Sequence, residues 1–167
     1  MQPKNTPQKE QADSVLLSET ATHRFSDSVQ VDTFRIDVTG DDLTKGRAHF
    51  VITRFDGKVI FQQFFPVQKL LGNQVVPLDN KRRMISDSER LGILTTRLHA
   101  FFDPKNFLVP AIPASYKERG ITDRTFWEDL KLDAASVGFM YTFGDDNRTW
   151  IAYDRQSGMV RIYYNCC

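Results

Sequence analysis

The sequence predicts an α+β domain, in which a mainly antiparallel sheet carries two helices packed on one face. Three observations support this fold class. Apolar and polar residues alternate in the N-terminal part, two helix-type patterns occupy the middle, and alternation returns in the C-terminal third. Strands that precede and follow a helical region are typical of α+β domains. The chain has 167 residues, about the length of one average domain.

The first strand is predicted soon after a polar segment. Residues 1–28 are rich in Gln, Ser, Thr, Asp and Pro, so we expect a flexible polar leader there and a single domain over 29–167. Phe34, Ile36 and Val38 are apolar at every second position. This spacing indicates a strand with one buried face.

A hairpin follows as the clearest local signal. The apolar runs 50–55 and 58–65 flank Asp56-Gly57, a dipeptide typical of a two-residue type I′ turn. A turn there predicts the cross-strand pairs Ile52 with Phe61 and Arg54 with Val59, and a core face of Phe50, Ile52, Val59, Phe61 and Phe65.

Two helices are predicted between the sheet segments. Ser86 and Glu89 have the spacing of a capping box, so the first helix begins there. Its apolar residues at helical spacing are Leu91, Leu94, Leu98, Phe101 and Phe102. A shorter helix is expected to begin near Thr122 or Asp123, and the proline-containing stretch 107–113 before it is expected to be irregular.

The C-terminal third predicts a three-stranded antiparallel meander. Its alternating segments are 137–143, 148–153 and 159–164, and each of the two connections contains Gly and Asp. Together with the N-terminal strand and hairpin, this meander completes the predicted sheet.

Composition and motifs exclude several function classes. The 22 Lys and Arg residues nearly balance the 21 Asp and Glu residues, so the sequence predicts no nucleic-acid partner. No apolar stretch is long enough for a transmembrane span. The three histidines have no zinc-binding spacing, and no nucleophile, phosphate-binding or dinucleotide motif occurs. We therefore predict no metal, no cofactor and no catalytic residue.

Two groups of residues are candidate binding sites. Lys81, Arg82 and Arg83 form a basic run that would suit an anion or an acidic partner, although the sequence favours a solvated loop over such a site. The aromatic residues of the meander are more numerous than one buried face requires. A recognition surface on its outer face would use Tyr141, Trp150, Tyr153 and Tyr164. Alternatively, helices cover one face of the sheet and loop 67–85 or 104–121 covers the other.

The two ends of the sequence suggest a compartment. The polar segment 2–28 and the strand-like ending 161–167 resemble the mature part of small exported lipoproteins of unknown function from Bacteroidetes. This resemblance implies a periplasmic or membrane-tethered protein, with a lipid tether upstream of Met1, and it implies no catalytic residues. Cys166 and Cys167 are adjacent, and we expect neighbouring cysteines not to pair.

These observations lead to three hypotheses of function. The first is a non-enzymatic exported domain, tethered by its leader, that binds a protein or a small ligand. The alternative is a cytoplasmic inhibitor or immunity-type protein that blocks one enzyme. The third is a hydrolase-like enzyme whose site is assembled from dispersed Asp, His or Tyr residues.

Overall fold

The computed structural model describes residues 14–72, 75–78, 81–116 and 118–167, except for the side chains of 75–78 and 81–83. This part of the chain forms two four-stranded antiparallel sheets, a two-stranded ribbon and two α-helices, so the predicted α+β class is confirmed. The strands are β1 (Val15–His23), β2 (Asp32–Thr39), β3 (Arg47–Thr53), β4 (Val59–Pro66), β5 (Val75–Leu78), β6 (Lys81–Met84), β7 (Phe107–Leu108), β8 (Gly138–Phe143), β9 (Asn147–Asp154) and β10 (Met159–Cys166). The helices are α1 (Asp87–His99) and α2 (Arg124–Leu132).

The N-terminal sheet has the order β1-β2-β3-β4. Phe34, Ile36 and Val38 are fully buried on its inner face, as their alternation predicts. Strand β1 corrects the predicted leader, because it pairs with β2 from Val15 to His23. Residues 14–28 therefore belong to the fold, whereas residues 1–13 lie outside the described part. Sequence periodicity missed β1 because this edge strand is only half-buried and is held mainly by backbone pairing.

The β3–β4 hairpin is present with a different turn. Ile52 pairs with Phe61 as predicted, but Val59 pairs with Thr53 instead of Arg54. The amide of Gly57 donates to Arg54 O, and the amide of Arg54 donates to Lys58 O, so the loop has three residues. Gly57 occupies its left-handed position, with φ of 86°. The extra residue turns Val59 outward, where it is 45% exposed, and Ile60 is buried next to it.

The C-terminal sheet has the order β10-β9-β8-β7. Strands β8, β9 and β10 are the predicted meander. The stretch expected to be irregular supplies a fourth strand, because Phe107 and Leu108 pair with Phe139 and Gly138. Backbone pairing to β8 therefore orders two residues whose sequence carries no strand periodicity.

The two sheets pack on each other around the main core. Phe139 lies at its centre, with its ring centroid 5.4 Å from that of Phe34 and 5.7 Å from that of Phe50. The core also includes Leu94 and Leu98 of α1. Ten of the 13 phenylalanines belong to this core or pack against it, which accounts for most of the unusual phenylalanine content of the sequence.

A second core covers the opposite face of the C-terminal sheet. Phe126, Trp127 and Leu130 of α2 pack there with Ala111 and Tyr163. Leu108 of β7 and residues Ile112, Tyr116 and Ile121 of the loop before α2 lie against this cluster. The C-terminal sheet is thus buried on both faces, and the two helices contribute to different cores.

Local capping signals place both helices. The Ser86 side chain accepts from the Glu89 amide, and the Glu89 carboxylate accepts from the Ser86 amide, as the capping box predicts. The Asp123 side chain accepts from the Phe126 amide at the start of α2. Neither described helix is long and apolar enough to cross a membrane.

The chain ends in a bond that the sequence analysis did not expect. A disulfide joins the Sγ atoms of Cys166 and Cys167. Cys166 is the last residue of β10, so the pair lies at the end of an edge strand.

Candidate ligand-binding site

A cleft of about 300 Å³ lies at the end of the molecule where β1 leads into β2. Three segments surround it: residues 23–28, residues 133–137 after α2, and the end of β9 with Tyr153 and Arg155. Val109 and Leu130 complete its lining. We call this cavity the loop cleft. Its volume is at the lower end of the range typical of small-molecule sites.

A fully buried carboxylate holds the first wall of the loop cleft. Asp32 accepts hydrogen bonds from the Ser26 amide (2.6 Å), the Ser26 hydroxyl (3.0 Å) and the Phe55 amide (3.1 Å). Phe25 is buried beside this contact and packs edge-on against Phe34. The loop after β1 is therefore anchored to the main core at two consecutive residues.

The wall after α2 is held by a buried hydroxyl. Ser136 Oγ donates to Leu130 O (3.2 Å) and accepts from the Ala111 amide (3.1 Å). These bonds fasten the last turn of α2 to the loop that covers the second core. The Asp133 side chain accepts from the Ala135 amide (2.9 Å), which shapes the turn into β8.

Contacts with neighbouring residues hold the side chains of His23 and Tyr153 in the lining of the loop cleft. The His23 ring stacks on Phe107 with centroids 4.0 Å apart, and His23 Nδ1 lies 3.0 Å from Arg24 O. The Tyr153 hydroxyl accepts a hydrogen bond from Arg54 Nη1 at 3.1 Å. This bond ties the end of β9 to the β3–β4 turn.

The charged side chains of the loop cleft make different numbers of hydrogen bonds. Asp27 Oδ1 accepts from the amides of Gln30 (2.9 Å) and Val29 (2.7 Å), and these bonds hold the pKa of Asp27 below its ordinary value. Arg24 donates from Nε to Val29 O at 3.3 Å, and Arg155 Nη2 lies 4.0 Å from Asp133 Oδ2. Each guanidinium therefore keeps N–H donors that these contacts do not use, and the backbone amides engage one oxygen, Oδ1, of each carboxylate.

The two serine hydroxyls of the loop cleft are held in structural hydrogen bonds. Ser26 Oγ is bonded to Asp32, a carboxylate that also accepts two backbone amides, and Ser136 Oγ is bonded to a carbonyl. Neither hydroxyl is hydrogen-bonded to an imidazole that would take its proton. Among the residues that the structure describes, no group of three His, Cys, Asp or Glu side chains is arranged to hold a metal ion.

A second cleft, of about 340 Å³, lies between α2 and residues 110–116 and 118. Its charged residues are already paired with one another, because Glu118 lies 3.2 Å from Lys131 Nζ and 3.0 Å from Arg124. We call it the helix cleft. It offers an apolar lining but fewer available charged donors than the loop cleft.

Three of the four predicted contact rings lie in the interior. Tyr141 is 2% exposed and packs in the main core, whereas Trp150 and Tyr164 are 5% and 7% exposed in the second core. The prediction that they share an exposed surface with Tyr153 is therefore wrong. The alternative is right that both faces are covered, but α2 and the loop before it cover the same face, and the N-terminal sheet with α1 covers the other. Tyr153 alone among them lines the loop cleft.

The predicted basic run falls on a strand. Lys81, Arg82 and Arg83 belong to β6, which pairs with β5. Their side chains lie outside the described residues, so this candidate anion site stays a prediction.

The outer face of the N-terminal sheet carries a row of residues that the sequence analysis missed. Ser18, Asp37, His49 and Phe64 lie opposite one another on the four strands. Ser18 Oγ donates to Asp37 Oδ1 at 2.5 Å, and the His49 ring stacks on Phe64 at 3.9 Å. The carboxylate lies between the hydroxyl and the imidazole, so the row does not reproduce a catalytic triad.

The comparisons with known proteins add no identification. No family model, no curated protein and no solved structure matches this chain. Its function must therefore be argued from its own residues.

Proposed function

We propose that this chain is a non-enzymatic binding domain that holds a small ligand in the loop cleft. The observation that carries the proposal is the convergence of three anchored segments on one cavity, with guanidinium donors that internal contacts leave available. A pre-formed cavity lined by apolar side chains and a few placed polar groups is the usual form of a small-molecule site.

The anchoring supports binding because it lowers the cost of ordering the site. Asp32 and Phe25 fasten the wall after β1 to buried structure, and Ser136 fastens the wall after α2. A ligand then meets side chains already held in place, so less conformational entropy is lost on binding.

Nuclear magnetic resonance of the full-length ¹⁵N-labelled chain tests the proposal. A panel of neutral, anionic and cationic aromatic fragments at millimolar concentration is expected to shift the amides of Ser26, Ser28, Ser136 and Val137. Ala135→Phe fills the loop cleft and should abolish these shifts. Ala114→Phe, an exposed alanine in the helix cleft, is the matched control and should preserve them.

Two results would contradict the binding proposal. One is the absence of any shift at the loop-cleft amides across the whole panel. The other is a set of shifts that survives Ala135→Phe in a protein whose melting temperature matches that of Ala114→Phe. Either outcome removes the cavity as the binding site.

We also propose that the domain acts after export, tethered at its N-terminal side. The polar residues 2–13 and the resemblance to small exported lipoproteins support this proposal. Fractionation of the native cells and the intact mass of the isolated protein test it. An acyl-chain mass in the membrane fraction is expected, whereas an unmodified chain in the cytosolic fraction would contradict export.

A further inference from the structure

We infer that the ligand of the loop cleft is a small organic anion, with a carboxylate bound by Arg24 and Arg155 and an apolar body against the cleft wall. This inference rests on the proposed function and specifies the ligand class. It follows from comparing the hydrogen bonds that the two carboxylates of the lining make with those that the two guanidinium groups make.

The two carboxylates that line the loop cleft serve the backbone. Asp27 Oδ1 accepts two amide hydrogen bonds, at 2.7 Å from Val29 and 2.9 Å from Gln30. Asp133 Oδ1 accepts one from Ala135 at 2.9 Å. These bonds hold the acids in turn-forming roles, where they shape the cavity.

The two guanidinium groups are differently placed. A guanidinium has five N–H donors, and in the described part of the chain Arg24 uses its Nε for one 3.3 Å bond to Val29 O. Among the described residues, Arg155 has one ion contact within 4.0 Å, to Asp133, its charge also contributes to the lowered pKa of Asp27, and its side chain is 78% exposed. Both arginines line the cavity, so their remaining donors are available to an anion that enters it.

The rest of the lining determines the body of the ligand. Phe25, Val109, Leu130 and Val137 supply the apolar part of the lining, and the last three belong to segments other than the loop that carries Arg24. A bare inorganic anion would leave this wall uncovered. A carboxylate attached to a compact apolar group matches both the arginine donors and the apolar lining, because a planar carboxylate accepts two parallel hydrogen bonds from a guanidinium.

The probes are benzoate, its neutral counterpart benzamide, the cation benzylammonium and inorganic phosphate. Each is titrated into the full-length ¹⁵N-labelled chain. We expect benzoate to shift the amides of Ser26, Ser28 and Val137 with saturation, and the other three probes to bind at least tenfold more weakly. Raising the salt concentration should weaken benzoate binding, since the contact is between charges.

Variants assign the anion contact. Arg24→Gln and Arg155→Gln should each weaken benzoate binding about tenfold, the usual size of a lost charge-assisted hydrogen bond. Arg148→Gln removes the same charge at the opposite end of β9 and should leave benzoate affinity unchanged. Both cleft arginines are exposed, so the three variants should melt together.

The outcomes separate this inference from the proposed function. Equal binding of benzamide or benzylammonium at the same amides would overturn the anion assignment and leave a binding domain. Equal binding of inorganic phosphate would overturn the claim that the ligand has an apolar body. Benzoate shifts outside the loop cleft, or shifts unaffected by both arginine variants, would overturn the assignment to Arg24 and Arg155. Silence of all four probes at the cleft amides would overturn the inference, and the wider fragment panel then decides the proposed function.

Discussion

The buried carboxylate of Asp32 accepts a hydrogen bond from the backbone amide of Phe55, at 3.1 Å, and so joins the loop before β2 to the β3–β4 turn. The same carboxylate accepts two bonds from Ser26 in the loop-cleft wall. One side chain thus connects the turn of the hairpin to the proposed binding site.

The first prediction concerns this junction. Asp32→Ala should lower the free energy of unfolding by roughly 1–3 kcal/mol, because it leaves the partly buried amides of Ser26 and Phe55 without their acceptor. Urea denaturation measures the change. Asp41→Ala, at an exposed acid in the next turn, is the control and should change stability by less than about 0.5 kcal/mol. Equal effects of the two variants would contradict the role of Asp32.

The second prediction tests the packing of the two sheets. Phe139→Ala should destabilise the fold by about 3–5 kcal/mol, because the fully buried ring contacts both sheets. Phe64 is 51% exposed on the outer face of the N-terminal sheet, so Phe64→Ala should have a much smaller effect. The melting temperatures of the two variants show whether Phe139 or Phe64 lies on a buried face. Similar losses would contradict the observed assignment of the inner face.

The third prediction separates the aromatic residues of the meander. Trp150→Ala should lower stability by about 3–5 kcal/mol, because the side chain is buried in the second core. Tyr153→Ala removes a half-buried ring and one hydrogen bond to Arg54, so its effect should be smaller. Equilibrium unfolding in urea compares them. If Trp150→Ala left stability unchanged, the burial of Trp150 would be contradicted and its predicted role as an exposed contact residue would be supported.

The fourth prediction concerns two glycines. A Cβ at Gly138 would lie 2.3 Å from the Tyr163 hydroxyl and 3.3 Å from Ala111 Cα, so Gly138→Ala should destabilise the protein. A Cβ at Gly92 in α1 would meet no atom within 4 Å. Gly92→Ala should therefore stabilise the helix by about 0.5–1 kcal/mol. Thermal unfolding measures both signs, and a stabilised Gly138→Ala variant would contradict the close packing of β8.

The fifth prediction concerns alkaline pH. Burial raises the pKa of Tyr141 and Tyr163 well above the ordinary value near 10. Above pH 10 the unfolded state releases these protons while the folded state retains them, so stability should fall as pH rises. Absorbance at 295 nm should show both residues titrating only as the chain unfolds.

Tyr163→Phe provides the matched variant for the pH experiment. It removes the ionisable hydroxyl together with its 2.7 Å hydrogen bond to Ala111 O. The variant should be less stable at pH 7 but should lose less additional stability between pH 9 and 11. A pH dependence identical to that of the parent chain would contradict the role of Tyr163.

The candidate site was harder to predict than the fold for a physical reason. Strands β2, β8 and β9, and the caps at Ser86 and Asp123, depend on residues close in sequence, so alternation and capping patterns reveal them. Arg24 and Arg155 are 131 positions apart and line the same cavity only because the two sheets pack together. Sequence spacing carries no signal for such a pair.

The sequence by itself determined the α+β class, the apolar face of β2, the hairpin position and both helix starts, because each depends on local periodicity or capping. Tertiary structure decided that Ser18, Thr20 and Thr22 form an edge strand, since their backbone groups pair with β2 without an apolar pattern. It also decided that Trp150 and Tyr164 are buried. Alternation shows which residues share a face, but only the packing of α2 and the loop before it shows that the face is covered.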